Sequence, residues 1–319
     1  MNNTPGLTNN KAESSGAECV NEVAGLVDGG AGRVNETAEW RRALRPLFKR
    51  KPAVVGLAII VILVGLAIFG PRIAPYSPAA QDYDRILETP SRLHLFGTDN
   101  LGRDILSRIL YGARLSLMVG ASGVLGGALA GIPLGLTAGY YGGRYDSAVM
   151  RVLDVLLAFP GILLAIGIIA LLGPGLPNVV IAIAVFGVPI FARLVRGSVL
   201  QIKARDFVQA AKAAGASDLR ILVLHVLPNV LAPIVVMLTL RTAQAILIAS
   251  SLSFLGLGAV PPTPEWGAML ADGRSYITTY PHVGTFPGAA IFLTVLGLNL
   301  LGDGLNDMLD PRLRRNLKG

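Results

Sequence analysis

The sequence predicts an all-α membrane protein with six transmembrane helices, on three observations. Of 319 residues, 52% are hydrophobic and 15% charged, where a soluble domain carries about 25% charged residues. Mean hydropathy is +0.58. The apolar residues also fall in runs of spanning length, and turn signals separate the runs.

The runs are read between charges. No Asp, Glu, Lys or Arg occurs between Lys51 and Arg72, between Arg114 and Arg144, or between Asp154 and Arg193. The last gap holds 38 residues, about 57 Å of helix at roughly 1.5 Å per residue. A bilayer core is about 30 Å thick, so this gap is two spans. "GPGLPN" at 173–178 breaks it, with two prolines and two glycines where a helix interior tolerates neither. The predicted spans are 53–70, 115–139, 149–172, 178–196, 229–257 and 286–306.

Four regions follow. Residues 1–39 form a disordered tail rich in Asn, Gly, Ser and Glu. Residues 40–114 hold the first span and an outer loop, 115–308 the transmembrane core with a polar loop at 197–228, and 309–319 a second tail. Basic residues orient them: with both termini inside, inner segments hold 20 Lys/Arg and outer segments seven. The net charge of +8 is explained by this bias and by anionic membrane lipid, so nucleic acid is not implied as a partner. The only cysteine, Cys19, lies in the first tail, and no Cys/His metal cluster is legible. The first run lacks a convincing cleavage site and reads as an uncleaved span.

Within the outer loop, residues 104–117 carry apolar side chains at helical spacing and are expected as an amphipathic helix on the outer surface. The second span, with "GASGVLGGALAGIPLG", is expected to pack tightly in the bundle, since Gly and Ala allow close backbone approach in lipid. Pro261, Pro262 and Pro264 break the second outer loop. Trp266 there fits an interfacial aromatic or a short re-entrant helix starting near Glu265.

The polar loop contains "DFVQAAKAAGASDLRILVLHVLPN", residues 206–229. Asp206 reads as an N-cap and Gln209 as the residue reaching back to it. Phe207, Ala210, Ala211 and Ala214 share a face, and Gly215 supplies the left-handed residue that ends the helix. Ser217 is expected to cap a second short helix with Leu219, Leu222, Val223 and Val226 on its apolar face, ended by Pro228. An alanine face is too shallow to anchor in lipid. It suits insertion into a groove on another protein, or lies under the bundle as a plain surface helix.

Arg241 lies about 12 residues, roughly 18 Å, into the fifth span, where an ionisable side chain faces the bundle interior. It either lines a path and meets a substrate carboxylate, or bonds helix carbonyls or a partner subunit. Gln244, one turn on, shares its face. Asp154 is expected to pair with Arg151 or Arg196. Asp303 and Asp307 share a helix face near the end of the last span and could pair with the C-terminal basic residues. His94, His225 and His282 are scattered over different segments. Ser250, Ser251 and Ser253 have no nearby base and read as bundle hydrogen-bonders.

The stretch "QAAKAAGASDLRILVLHVLPN" resembles the EAA loop of the inner-membrane permeases of ATP-binding-cassette importers, aligning Gln209, Ala210, Ala211, Gly215, Leu227 and Pro228. Gln209 stands where that pattern has Glu, and His225 where an aliphatic residue is usual. "FGTDNLGRDILSRILYGARLSL", "SLSFLGLGAVPPTPEWGAML" and "LLGDGLNDMLDPRL" look like the second permease subunit of dipeptide, oligopeptide and nickel importers. "DVLLAFPGILLAIGIIALLG" and "FARLVRGSVL" look most similar to the glutathione-importing branch.

The resemblance implies the type I importer permease fold, with a cytoplasmic coupling helix in which Asp206, Phe207, Gln209, Ala210, Ala211 and Gly215 dock an ATPase. It implies a bacterial inner-membrane location, a paralogous permease forming a heterodimer, two ATP-binding subunits and an extracytoplasmic substrate-binding protein. No GxxxxGK[ST] phosphate loop occurs here, so ATP hydrolysis belongs to other chains and this chain carries no cofactor. Two further classes make different demands. An ion-driven secondary transporter needs carboxylates on its path, of which the spans offer almost none, and an intramembrane hydrolase needs paired Ser/His or Asp/Asp motifs, which the spans lack.

Overall fold

The computed structural model describes residues 50–309. The expected tails and Cys19 lie outside the described residues, apart from the last helical residue, Leu309. Among the described residues the structure is helical, with one isolated bridge between Thr98 and Asp104. In chain order the helices are α1 (Lys51–Ile73), α2 (Ile105–Tyr141), α3 (Gly143–Leu157), α4 (Gly161–Leu172) and α5 (Leu176–Lys203). They continue as α6 (Asp206–Ala213), α7 (Asp218–Phe254), α8 (Trp266–Gly273) and α9 (His282–Leu309). Helices α1, α2, α5, α7 and α9 are long and apolar enough to cross a membrane. The bent pair α3 and α4 meets the same criterion only when taken together, as a broken span or a re-entrant loop, for a total of five or six among the described residues.

That bend departs from the expected straight span over 149–172. α3 and α4 meet at 85°. Pro160 has no N–H to donate and disfavours helical geometry at Phe159, so α3 ends at Leu157. Gly161 restarts the chain close to α5: a Cβ there would lie 2.6 Å from the Phe186 ring. The break falls within the expected 173–178 but covers only 173–175, since Leu176, Pro177 and Asn178 already form the first turn of α5. Gly173 and Gly175 have φ of 91° and 145°, and the Asn178 amide donates to the carbonyls of Leu172 and Gly173.

α2 packs on α5 through a glycine stripe. Gly123, Gly127, Gly131, Gly135 and Gly139 recur every four residues, so they share one face of α2. A Cβ at Gly131 would sit 2.5 Å from the Val188 carbonyl oxygen, and one at Gly135 2.4 Å from that of Ala192. The small-residue face is therefore filled by the same chain's α5, backbone against backbone. α1 lies along α9: a Cβ at Gly56 would meet the Leu301 nitrogen at 2.7 Å, and Arg50 pairs with Asp307 where α1 starts and α9 nears its end. The C-terminal basic residues, the expected partners of Asp307, lie outside the described residues.

At the opposite end, residues 104–117 are not a separate surface helix. Asp104 caps α2, accepting the Ser107 N–H at 2.8 Å, and the helix runs unbroken to Tyr141. Its first face is covered: Ile105, Ile109 and Ala113 are buried with Trp266 and Met269. Trp266 is fully buried and donates its indole N–H to the Ile109 carbonyl at 3.2 Å, so it is no interfacial aromatic. A short helix does start at the expected place, where Glu265 caps α8 by accepting the Ala268 N–H at 2.9 Å. Sequence reading missed a buried ion network beneath α8. Arg103 binds Asp99 at 2.6 Å and Asp272 at 2.9 Å, and Arg108 stands 3.5 Å and 3.7 Å from the same two carboxylates.

Candidate functional site

α6 is attached to α5 by only two residues, Ala204 and Arg205. This corrects the expected cap. Arg205 occupies the N-cap position without a side-chain bond, and Asp206 is the first helical residue. There its carboxylate faces the positive end of the helix dipole rather than a single N–H. Gln209 does not reach back to Asp206 either. Its amide donates to the Lys203 carbonyl at 2.9 Å, an oxygen that the end of α5 leaves without a helical partner.

Gly215 ends the helix as expected. Its φ is +80°, and the Ala216 N–H returns to the Ala211 carbonyl at 3.1 Å while the Gly215 N–H meets that of Lys212 at 3.0 Å. The predicted apolar face is divided. Phe207 (40% exposed), Ala210 and Ala214 face outward, whereas Ala211 is half-buried against the bundle. The anchor is Val208, which is 2% exposed and packs with Ile202, Ile221, Leu222, Val226 and Tyr140. The sequence reading passed over it, although Val208 and Ala211 at i,i+3 are the one pair that could seat the helix.

The second short helix is not separate. Asp218 begins α7, a wide π turn over Ile221–Val226 precedes Pro228, and the helix continues to Phe254. Widening the turn re-routes carbonyls that the proline cannot serve. Ser217 sits at the N-cap position without a side-chain bond. Leu222 and Val226 are buried, while Leu219 (71%) and Val223 are exposed. The Tyr140 hydroxyl donates to Asp218 at 2.7 Å, and the Lys203 ammonium donates to the Tyr140 carbonyl and lies 5.4 Å from its ring centre.

In α7, Arg241 and Gln244 are brought together: the guanidinium donates to the Gln244 amide oxygen at 2.7 Å and to Met237 Sδ at 3.5 Å. Both partners belong to Arg241's own helix, and the side chain is half-buried. Among the described residues it has no carboxylate partner. The expected pairing of Asp154 is also revised. Asp154 pairs with Arg193, while Arg196 grips Asp146 with two bonds of 2.5 and 2.6 Å. α3 starts at Gly143, which puts Asp146 one turn in and against α5.

His94 contacts Asp104 at 2.9 Å and His282 the Thr98 carbonyl at 3.3 Å; both are structural ties of the segment between α1 and α2. Among the described residues no three His, Cys, Asp or Glu side chains form a metal-binding group. Ser251 donates to the Leu247 carbonyl at 2.8 Å and Ser253 accepts the Ala259 N–H at 3.3 Å.

The site therefore consists of a short, exposed helix seated against the end of α5, the start of α7 and Tyr140 of α2, and a separate polar pair within an apolar helix. Residues 131–315 match the family described as binding-protein-dependent transport system inner membrane component. Residues 39–90 match the N-terminal TM domain of oligopeptide transport permease C. The chain is 52% identical over 275 residues to a dipeptide transport system permease protein of Alkalihalophilus pseudofirmus, covering 86% of this chain and 90% of that protein. It is 50% identical over 276 residues to a glutathione transport system permease protein of Pectobacterium atrosepticum, covering 86% and 92%. Among solved structures, the methionine ABC transporter MetNI in inward-facing conformations gives a TM-score of 0.53 at 19% identity, over 64% of this chain and 97% of that one. That likeness concerns the fold, the type I importer permease fold. With the spans, the exposed helix and the family match over more than half its length, the chain belongs to the inner-membrane components of binding-protein-dependent transport systems, a non-catalytic, multi-pass permease.

Proposed function

We propose that the chain is one permease subunit of an ATP-driven importer that carries small peptides, glutathione foremost, from outside into the cytoplasm. The observation that carries this reading is α6: exposed through Phe207, Ala210 and Ala214, yet seated on the bundle through Val208. A helix with a shallow outer face and a firm inner anchor can accept a push from a partner and pass it on. Two ATP-binding subunits supply that push, a paralogous permease completes the path, and an extracytoplasmic binding protein delivers the substrate. Both termini are cytoplasmic, in line with the excess of inner basic residues.

On the path, Arg241 holds a cationic fork beside Gln244 in an apolar helix, with no carboxylate partner among the described residues. A peptide carboxylate passing there takes up the free donors transiently. The half-identical relative named for dipeptide transport supports a second reading, a dipeptide importer.

Uptake distinguishes these readings. The chain is co-expressed with its genomic neighbours, and everted and right-side-out vesicles are given labelled glutathione, a labelled dipeptide or nickel. ATP-dependent accumulation of glutathione above dipeptide is expected, with no nickel uptake. Dipeptide preference selects the second reading. Accumulation that follows an ion gradient without ATP overturns both.

A further inference from the structure

The end of α6 nearest α5 is tied down by a relay of side chains. Gln209 donates to the Lys203 carbonyl at 2.9 Å. Lys203 in turn donates its ammonium to the Tyr140 carbonyl, and Tyr140 donates its hydroxyl to Asp218 at 2.7 Å. Each bond crosses an element boundary: α6 to α5, α5 to α2, and α2 to the start of α7. Two acceptors, the carbonyls of Lys203 and Tyr140, lie at helix C-termini, where backbone oxygens lack helical partners. The relay thus closes two open helix ends and joins the ends of the glycine-packed pair α2–α5 to the coupling helix.

We infer that Gln209 is a positioning residue: its amide N–H clasps α6 to the end of α5, so that displacement of α6 moves α5, α2 and α7 as one body. This rests on α6 being the helix that an ATPase pushes. The chemistry demands a donor. At position 209 an ionised carboxylate only accepts. It would face the Lys203 carbonyl and the negative end of the α5 dipole, both of which repel it. It would also draw the Lys203 ammonium away from Tyr140. With only Ala204 and Arg205 between the helices, loss of the clasp leaves that short joint and the seating of Val208 to hold the angle of α6. Phe207 and Ala210 stay outward-facing whatever stands at 209, and hydrogen exchange in the purified chain reads the clasp apart from any docking role of position 209.

The test uses three near-isosteric or donor-bearing variants in the complete importer and in the purified chain. Gln209→Glu and Gln209→Leu remove the donor, whereas Gln209→Lys keeps one long enough to reach the carbonyl. In detergent, amide hydrogen exchange over 204–213 is expected to quicken about fivefold in the Glu and Leu variants, the order of one net hydrogen bond, and to stay near wild type in the Lys variant. In proteoliposomes, glutathione or dipeptide uptake per ATP hydrolysed falls by a similar factor in Glu and Leu and is retained in Lys; the ratio is taken per ATP so that any change in the amount of ATPase bound cancels.

Unchanged exchange in Gln209→Leu overturns the clasp, whatever the importer does. Opposite effects of Glu and Lys on ATPase binding show a direct charge contact with the partner and overturn it too. If the wild-type chain binds no ATPase, the proposed function fails, while the exchange measurement still decides the clasp.

Discussion

Arg103 and Asp272 meet at 2.9 Å although 169 positions of sequence separate them, and the Arg103 side chain is 2% exposed. The pair fixes α8 to the loop that precedes α2. Replacing Asp272 by Ala leaves two buried arginines sharing Asp99 alone. The expected loss is about 2–3 kcal/mol, below the roughly 3–5 of a fully buried pair because Asp272 is 29% exposed. Thermal unfolding in detergent reads it directly. The exposed Arg50–Asp307 pair is the control, and Asp307→Ala costs less than about 1 kcal/mol.

The glycine stripe gives a second prediction. Gly131→Ala places a methyl 2.5 Å from the Val188 carbonyl oxygen, so α2 and α5 must separate. The cost is about 1–3 kcal/mol, by overpacking. At Gly167 nothing lies within 4 Å of a new Cβ. Gly167→Ala therefore gains the roughly 0.5–1 kcal/mol by which Ala exceeds Gly in a helix. Opposite shifts of the unfolding midpoint are expected, and equal shifts contradict the packing account.

Arg241→Leu removes the one cation that the described part of α7 offers beyond its first turn. Transport of anionic peptides is expected to fall about tenfold, the order of one charge-assisted hydrogen bond. Assembly with partner subunits is retained. If transport of neutral and anionic peptides falls equally, together with assembly, Arg241 is a structural residue.

Much of this was legible in the sequence, for reasons that also show where legibility stopped. Charge-free runs locate spans because the bilayer penalises charge, and 173–178 marks a turn because four of its six residues resist helix. Pro160 was overlooked because one proline in an apolar run also occurs inside helices, as Pro133 and Pro189 do here. Gly215 was readable from local backbone preference alone. The Gln209 clasp was not, because its acceptor is set by where α5 ends and not by the residues around position 209. Arg103 and Arg108 could not be singled out because their shared partner, Asp272, is supplied by a helix far along the chain. Asp146 escaped attention for the same reason, its partner Arg196 being 50 positions away.

The outward face of α6 bears the central claim. Ala210 is exposed, so Ala210→Arg adds a bulky charge to the docking face without entering the bundle. The decisive measurement is co-purification of ATP-hydrolysing subunits with the tagged chain, expressed with its genomic neighbours. The wild-type chain is expected to bring them down, and Ala210→Arg to lose them by at least about tenfold while its unfolding midpoint stays put, the size of effect expected when a contact at a packed interface is blocked. A wild-type chain that purifies without any ATPase, or an Ala210→Arg chain that keeps both its ATPases and its uptake, contradicts the account.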